Sequence, residues 1–412
     1  MELRPIFSAL LRNKTAPLLV ALQVAISLAI LANALFIVQT RLASAQRPSG
    51  IDDEAAVVYF QVRPLDKRTH NEAIEQQRRE LAALKALPGV RSVAWTTQMP
   101  MSTSGSSGSV RTSLAQTRAT ADPAIYSAPS DLVATLGLKL TEGRDFKEDE
   151  AVEMDPENDS WIDKFPKVAI VTRSLAELMF PGETSFLGKR FYQGLGVGSE
   201  LRIVGVVEHL QTTQAQPGAA GDYSIVIPWR LSNPSSRYAL RVDPGQGDRV
   251  LAAGEEALRK VNARPVRVSQ RTVTEDRYNR YRNERAMAWM LVAVSVLLLL
   301  VTVSGIVGMT ALRVAQRRKQ IGVRRALGAR WRDIVRYFVT ENLFITSGGI
   351  AAGLVLAIGL NQLLMRNLEM GRLPLGYLAF GAAALWLLGI AAVWGPASRA
   401  ANTPPAIATR TA

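Results

Sequence analysis

The chain has 412 residues, no cysteine, two histidines and a formal net charge of +14. Without thiols it can hold no disulfide framework, no thiolate metal site and no cysteine nucleophile. The positive charge does not point to nucleic acid: residues 41–285 carry 33 Lys and Arg against 31 Asp and Glu, so the excess lies beside long apolar runs.

Arg4, Arg12 and Lys14 precede an uncharged run from Ala16 to Gln39. As a helix it reaches about 36 Å, enough to cross a bilayer. Ala43-Ser44-Ala45 has the look of a signal cleavage site, but the apolar core of a signal peptide has only about 7–15 residues. Residues 1–40 therefore read as a cytoplasmic N-terminus and a retained first span. Gln23 and Asn33 inside it call for partners on another helix.

Residues 41–285 read as a water-soluble domain. Ala56–Val62 has the β-branched and aromatic content of a strand. Thr69 with Glu72 forms a capping box before a helix carrying Ile74, Leu81, Leu84 and Leu87. Pro88-Gly89 ends that helix, and Val90–Trp95 is a second strand. The order recurs with Tyr238–Val242, a helix over 248–262 and Val266–Val268. Two βαβ units far apart in sequence predict one split α/β layer, about 55–100 and 235–272, with a subdomain inserted over about 101–234. The insert opens with a Ser/Gly-rich loop, Ser102–Ser109, expected to be mobile. Its buried strands are expected at Val168–Val171 and Leu201–Val207, with a short helix ending at Pro181-Gly182.

Ala286–Leu312 is a second span, and the mixed charges just before it suit a helical stalk. Phe338–Met365 is the third and Pro374–Val393 the fourth, followed by a tail over 394–412. Between the second and third lies the most charged stretch of the chain, 313–337, with nine basic residues against Asp333 alone. Lys and Arg beside spans resist translocation, so this segment and both termini are expected in the cytoplasm and 41–285 outside it. A lipid-facing anchor needs only the charge. This segment also orders Ile321, Val323, Leu327, Ile334 and Val335 around a Gly328-Ala329 break, a pattern suited to a short helix docked in a groove on another protein.

Other motifs are weaker. Gly349 and Gly353, with Gly348 adjoining, make a GxxxG pair that serves packing within one chain or between two. His70 and His209 lack partners at ligand spacing, and the acidic stretch Glu148–Asp163 lacks the calcium-loop pattern. Gly182–Arg190 has five residues between its glycines and Arg190 where a phosphate loop needs Ser or Thr. No catalytic constellation emerges.

The run Gln320-Ile321-Gly322-Val323-Arg324-Arg325-Ala326-Leu327-Gly328-Ala329-Arg330, then Asp333-Ile334, resembles the post-span segment of the FtsX-like permease family of ABC transporters, specifically MacB-type permeases. Pro396-Ala397-Ser398-Arg399-Ala400-Ala401 is similar to the family's closing motif. Leu136-Gly137-Leu138, Glu142-Gly143-Arg144-Asp145-Phe146, Phe180-Pro181-Gly182, Gly188-Lys189-Arg190 and Val204–Val207 resemble a MacB-like periplasmic core. The resemblance implies an α-helical membrane protein with four spans, and a large α/β (α+β) periplasmic domain of two subdomains inserted between the first and second. It implies a permease domain over 286–412, whose residues 320–334 rest on a cytoplasmic ATPase. Gln320 departs from the family's usual Glu.

A bacterial inner-membrane permease subunit follows, with no enzyme activity and no cofactor of its own, ATP and magnesium belonging to separate ABC ATPase subunits. A second permease chain, identical or paralogous, is expected. Export or efflux by mechanotransmission would add a periplasmic adaptor and an outer-membrane channel. The alternative is a signalling or scaffold subunit gating a periplasmic partner such as a cell-wall hydrolase.

Overall fold

The computed structural model describes residues 15–402 apart from 103, 156, 162, 195–197, 234 and 369–370. It divides into two compact units, one of Met1–Ala43 with Glu284–Ala412 and one of Ser44–Asn283.

The chain opens with helix α1 (Thr15–Ala45). Then come β1 (Val57–Pro64), α2 (His70–Lys85), β2 (Val90–Thr96), β3 (Val110–Arg111), β4 (Ala124–Ser127), α3 (Leu132–Leu136) and β5 (Leu140–Gly143). The insert continues through β6 (Val152–Met154), β7 (Val168–Thr172), α4 (Arg173–Met179), β8 (Arg190–Gln193), β9 (Ser199–Val207), β10 (Ser224–Ile227) and β11 (Trp229–Leu231). β12 (Ser236–Val242), α5 (Gly247–Val261) and β13 (Val266–Thr272) close the domain.

A four-stranded sheet runs β13-β1-β12-β2, with β12 antiparallel to both β1 and β2. β1 and β2 therefore run parallel with β12 between them, and β12 and β13 likewise flank β1. Each βαβ unit is split by a strand of the other, so neither sheet half can form without chain from the far side of the insert. Val58, Phe60 and Val62 on one face bury against Leu84 of α2 and Val250, Leu251 and Leu258 of α5. A side chain at Gly254 would fall 2.4 Å from the Phe60 ring, so α5 sits on the sheet at a distance only glycine allows. The predicted capping box starts α2: the Thr69 hydroxyl accepts from Glu72 N–H, and the Glu72 carboxylate accepts from Thr69 N–H at 3.0 Å.

The opposite face, with Val57, Tyr59, Ala94 and Ala239, shares a core with Tyr126, Leu136, Ile170, Val207 and Val226 of the insert. The insert is built on a sheet ordered β3-β8-β9-β7-β10-β4, to which β5 adds beside β9. β6 and β11 pair separately in parallel. The strands β3, β4, β5, β6, β8, β10 and β11 have only two to four residues each, which hides them from a periodicity reading.

One expectation needs correction. The Ser/Gly loop is tied down: Ser106 N–H donates to the Gln98 amide oxygen at 2.6 Å, Gly108 N–H to the Pro123 carbonyl and Gly194 N–H to the Ser109 carbonyl. Small residues serve close approach there, since a side chain on Gly105 would meet Gln98 and Thr213 at 2.4 Å. The last helix runs on through the first residues of the tail to Ala401, with Pro396 inside it, and 403–412 lie outside the described residues.

The other unit contains α1 and the helices α6 (Val273–Gln316), α7 (Arg318–Ala326), α8 (Trp331–Leu368) and α9 (Leu375–Ala401), the first turns of α6 belonging to the Ser44–Asn283 unit. Among the described residues α1, α6, α8 and α9 are long and apolar enough to cross a membrane. The stalk and the second span are one continuous helix of 44 residues. α1 is the most enclosed span. Its Gln23 amide donates to the Val301 carbonyl at 2.9 Å, Ser27 and Thr302 hydroxyls meet at 2.7 Å, and Asn33 donates to the Ala357 carbonyl at 3.1 Å. In hydrocarbon such groups need protein partners, so these bonds fix which faces of α6 and α8 meet α1.

Candidate functional site

The segment that joins α6 to α8 is shaped by three local devices. Arg317 is the N-cap of α7 and its guanidinium returns to the bundle, 2.5 Å from the Tyr337 hydroxyl. At the other end Gly328 takes φ +93°. Its N–H donates to the Arg325 carbonyl and Ala329 N–H to the Arg324 carbonyl, the paired bonds of a Schellman closure that needs a left-handed residue. The Asp333 carboxylate then accepts from Arg330 N–H at 3.0 Å, and its negative charge lies in the first turn of α8.

These caps leave α7 as a separate two-turn helix with two unlike faces. Ile321 and Gly322 are buried, and Ile321 joins Ile334, Val335, Phe338, Ala397 and Ala400 in the bundle core. Val323 and Leu327, one turn apart, point outward with 52% and 83% exposure. Arg324, Arg330 and Gln320, near them in sequence, are exposed, and Ala329 is half-buried. Arg325 donates to the Ala401 carbonyl at the end of α9. Of the five apolar residues expected to face a partner, three therefore belong to this chain's own core. The 3.6-residue period gives a helix of this length one inward face, and Ile321 already lies on it.

Beneath α7 lies a group that the sequence reading missed. Glu341, in α8, is 3% exposed and accepts from Arg313 at 3.2 Å and Arg317 at 3.4 Å. The Arg317 and Arg324 guanidinium groups lie 5.7 and 5.2 Å from the Tyr337 ring centre. The signal was available: Glu341 is the single acid within Phe338–Met365, and an ionisable residue in a span needs a partner.

The GxxxG residues divide. A side chain on Gly349 would fall 2.6 Å from the Ala21 carbonyl oxygen, and one on Gly353 3.0 Å from Ala25 and Leu28, so both seat α8 against α1. At Gly348 nothing lies within 4 Å.

In the Ser44–Asn283 unit the remaining motif residues are joints. Glu142 accepts from Phe186 N–H at 3.0 Å and from the Ser185 hydroxyl at 2.9 Å. Arg144 grips Glu150 through two bonds of 2.8 and 2.6 Å, which hold that carboxyl down at about 2. Lys189 is paired with Glu183 at 2.7 Å and Arg190 with Glu200, so both spend their charge within the fold. His209 lies 2.9 Å from Asp222 and His70 3.6 Å from Glu153. Among the described residues no three His, Cys, Asp or Glu side chains gather as metal ligands.

Four membrane-length helices, and a split α/β domain carried between the first two, define a multi-pass permease-type membrane protein with a large extramembrane domain. The chain belongs to the family of the MacB-like periplasmic core domain, whose model matches residues 19–261, and the model of the FtsX-like permease C-terminal region matches 292–405. It is similar to the macrolide export ATP-binding/permease protein MacB of Bradyrhizobium diazoefficiens, 34% identical over 128 residues. That match takes 30% of this chain and 19% of the relative. The pyoverdine export ATP-binding/permease protein PvdT of Pseudomonas syringae pv. syringae is 32% identical over 127 residues, 31% of this chain and 19% of the relative. The matched stretches thus span about a fifth of the length of these curated relatives. The periplasmic region of MacB from Actinobacillus actinomycetemcomitans superposes with a TM-score of 0.35 at 14% identity, over 57% of this chain and 97% of that one. The fold assignment rests on the family model. An ABC-type permease of the MacB/PvdT kind, resident in the bacterial inner membrane, is the class these matches give.

Proposed function

We propose that this permease couples ATP hydrolysis by a cytoplasmic ABC ATPase to movement of its periplasmic domain, and that this movement drives export. Residues 320–334 receive the ATPase. The basic segment faces the cytoplasm with both termini, and the domain inserted between the first two spans faces the periplasm. The observation that carries the reading is the outward pair Val323 and Leu327, two large exposed apolar side chains on and at the end of an otherwise charged helix. Such a pair set among arginines suits an apolar slot with an acidic rim. α6 offers a mechanical path, since one unbroken helix runs from the end of β13 to the residue before Arg317. Export is favoured over gating of a cell-wall hydrolase by the names of the two curated relatives, both exporters. The ATPase, a second permease chain, an adaptor and an outer-membrane channel are the partners this reading calls for.

Val323→Gln and Leu327→Gln test it, because neither side chain supports the chain's own core. In the reconstituted complex, substrate- or adaptor-stimulated ATPase activity should fall about tenfold or more, as expected for a central apolar contact worth at least about 1.4 kcal/mol. The thermal unfolding midpoint of the permease should be unchanged. Full coupling in the double variant would overturn the reading. Arg325→Glu is the poorer test, since that side chain also holds the end of α9.

A further inference from the structure

A groove of about 370 Å³ opens on the bundle surface between the end of α6, α7 and the end of α9. Its floor is apolar, with Val307, Ala311, Ala315 and Ile321, and its rim carries two guanidinium groups, Arg318 and Arg399. Both arginines are exposed, and Arg318 makes no ion pair among the described residues. The depth of the groove follows from its neighbours. Trp394, 54% exposed and packed edge-on to Trp331, has the character of an interfacial tryptophan. Arg399 lies five residues further along the same helix, about 7.5 Å beyond it. In the other direction Val307 and Ala311 belong to the apolar run of α6. The rim thus lies at headgroup height and the floor descends into hydrocarbon.

We infer that this groove binds one anionic phospholipid of the cytoplasmic leaflet, its phosphate between Arg318 and Arg399 and an acyl chain along Val307 and Ala311. The charge at the rim selects the headgroup, since basic pockets between spans on the cytoplasmic side attract anionic lipid. The apolar floor, continuous with the span, selects a lipid over a free phosphate. The inference rests on the same orientation as the coupling reading but uses neither Val323 nor Leu327, so loss of lipid retention and loss of ATPase coupling are read separately.

The test is native mass spectrometry of the full chain in detergent, stripped of lipid and titrated with phosphatidylglycerol or phosphatidylcholine. The expected result is one retained phosphatidylglycerol per chain, held about 25-fold more strongly than phosphatidylcholine. Arg318→Gln and Arg399→Gln should each lower that retention about fivefold, taking about 1 kcal/mol per basic residue near the surface. Arg336→Gln, an exposed basic residue outside the groove, should change nothing. Ala311→Trp fills the floor and should abolish retention of both lipids; should it fail to fold, the two arginine variants carry the test. Equal retention of the two lipids by the wild type, or equal loss in Arg336→Gln, overturns the inference. Retention only by a chain ending at Asn402 would give the groove to the chain's own tail. Retention by monomers but not dimers in the same spectrum would give it to a second copy.

Discussion

Gly349 and Gly353 show what a residue can decide in a membrane. Lipid tails are as apolar as leucine, so helices associate there through close packing and polar contacts. The two glycines let α8 approach α1 until no Cβ fits, while Gly348, the next residue along, faces open space. Gly353→Leu should therefore cost about 1–3 kcal/mol, in line with overpacked cores, and lower the thermal unfolding midpoint of the detergent-solubilised chain. Gly348→Leu should leave that midpoint unchanged. Equal loss in the two variants would mean that α8 is turned differently. The motif was legible in the sequence, but the helix it receives was not, because any span could have supplied the surface.

Among the elements, α7 is a short helix held by its ends and by one buried side. Gly328 and Asp333 fix where it stops and where α8 begins, and both could be read locally, since each acts on backbone within four residues. The Glu341 cluster acts across elements and joins the end of α6 to the start of α8. Removing one member of a buried charge group strands the others, at about 3–5 kcal/mol in fully buried cases. Glu341→Ala should fall near the lower end of that range, because Arg313 and Arg317 keep some contact with solvent. Glu341→Gln should lose less, since an amide oxygen still accepts from both arginines. Unfolding of the purified variants checks the order. Similar stability in Glu341→Ala and wild type would mean that the cluster holds nothing.

At the scale of the whole molecule, the orientation is the expectation most open to direct test. The chain has no cysteine, so a single introduced thiol is the only site for a membrane-impermeant maleimide. Leu114→Cys lies at an exposed position of the inserted domain and should label in intact spheroplasts. Gln316→Cys, exposed at the end of α6, should label only after lysis. The opposite pattern would invert the topology and remove the cytoplasmic face on which the coupling reading depends.

The sequence by itself determined the spans, the capping box of α2, the break at Gly328 and the two βαβ units. Each of these follows from hydropathy, periodicity or a cap, properties that depend on residues near one another in the chain. It also carried the family resemblance, because that lies in contiguous motifs. Only the tertiary structure decided which face of α7 turns inward, what Glu341 holds, where the GxxxG glycines pack and why the Ser/Gly loop is tied down. Those answers depend on the surfaces that distant segments present. Val323 and Ile321 are nearly the same side chain two residues apart, and the bundle around them leaves one outside and encloses the other.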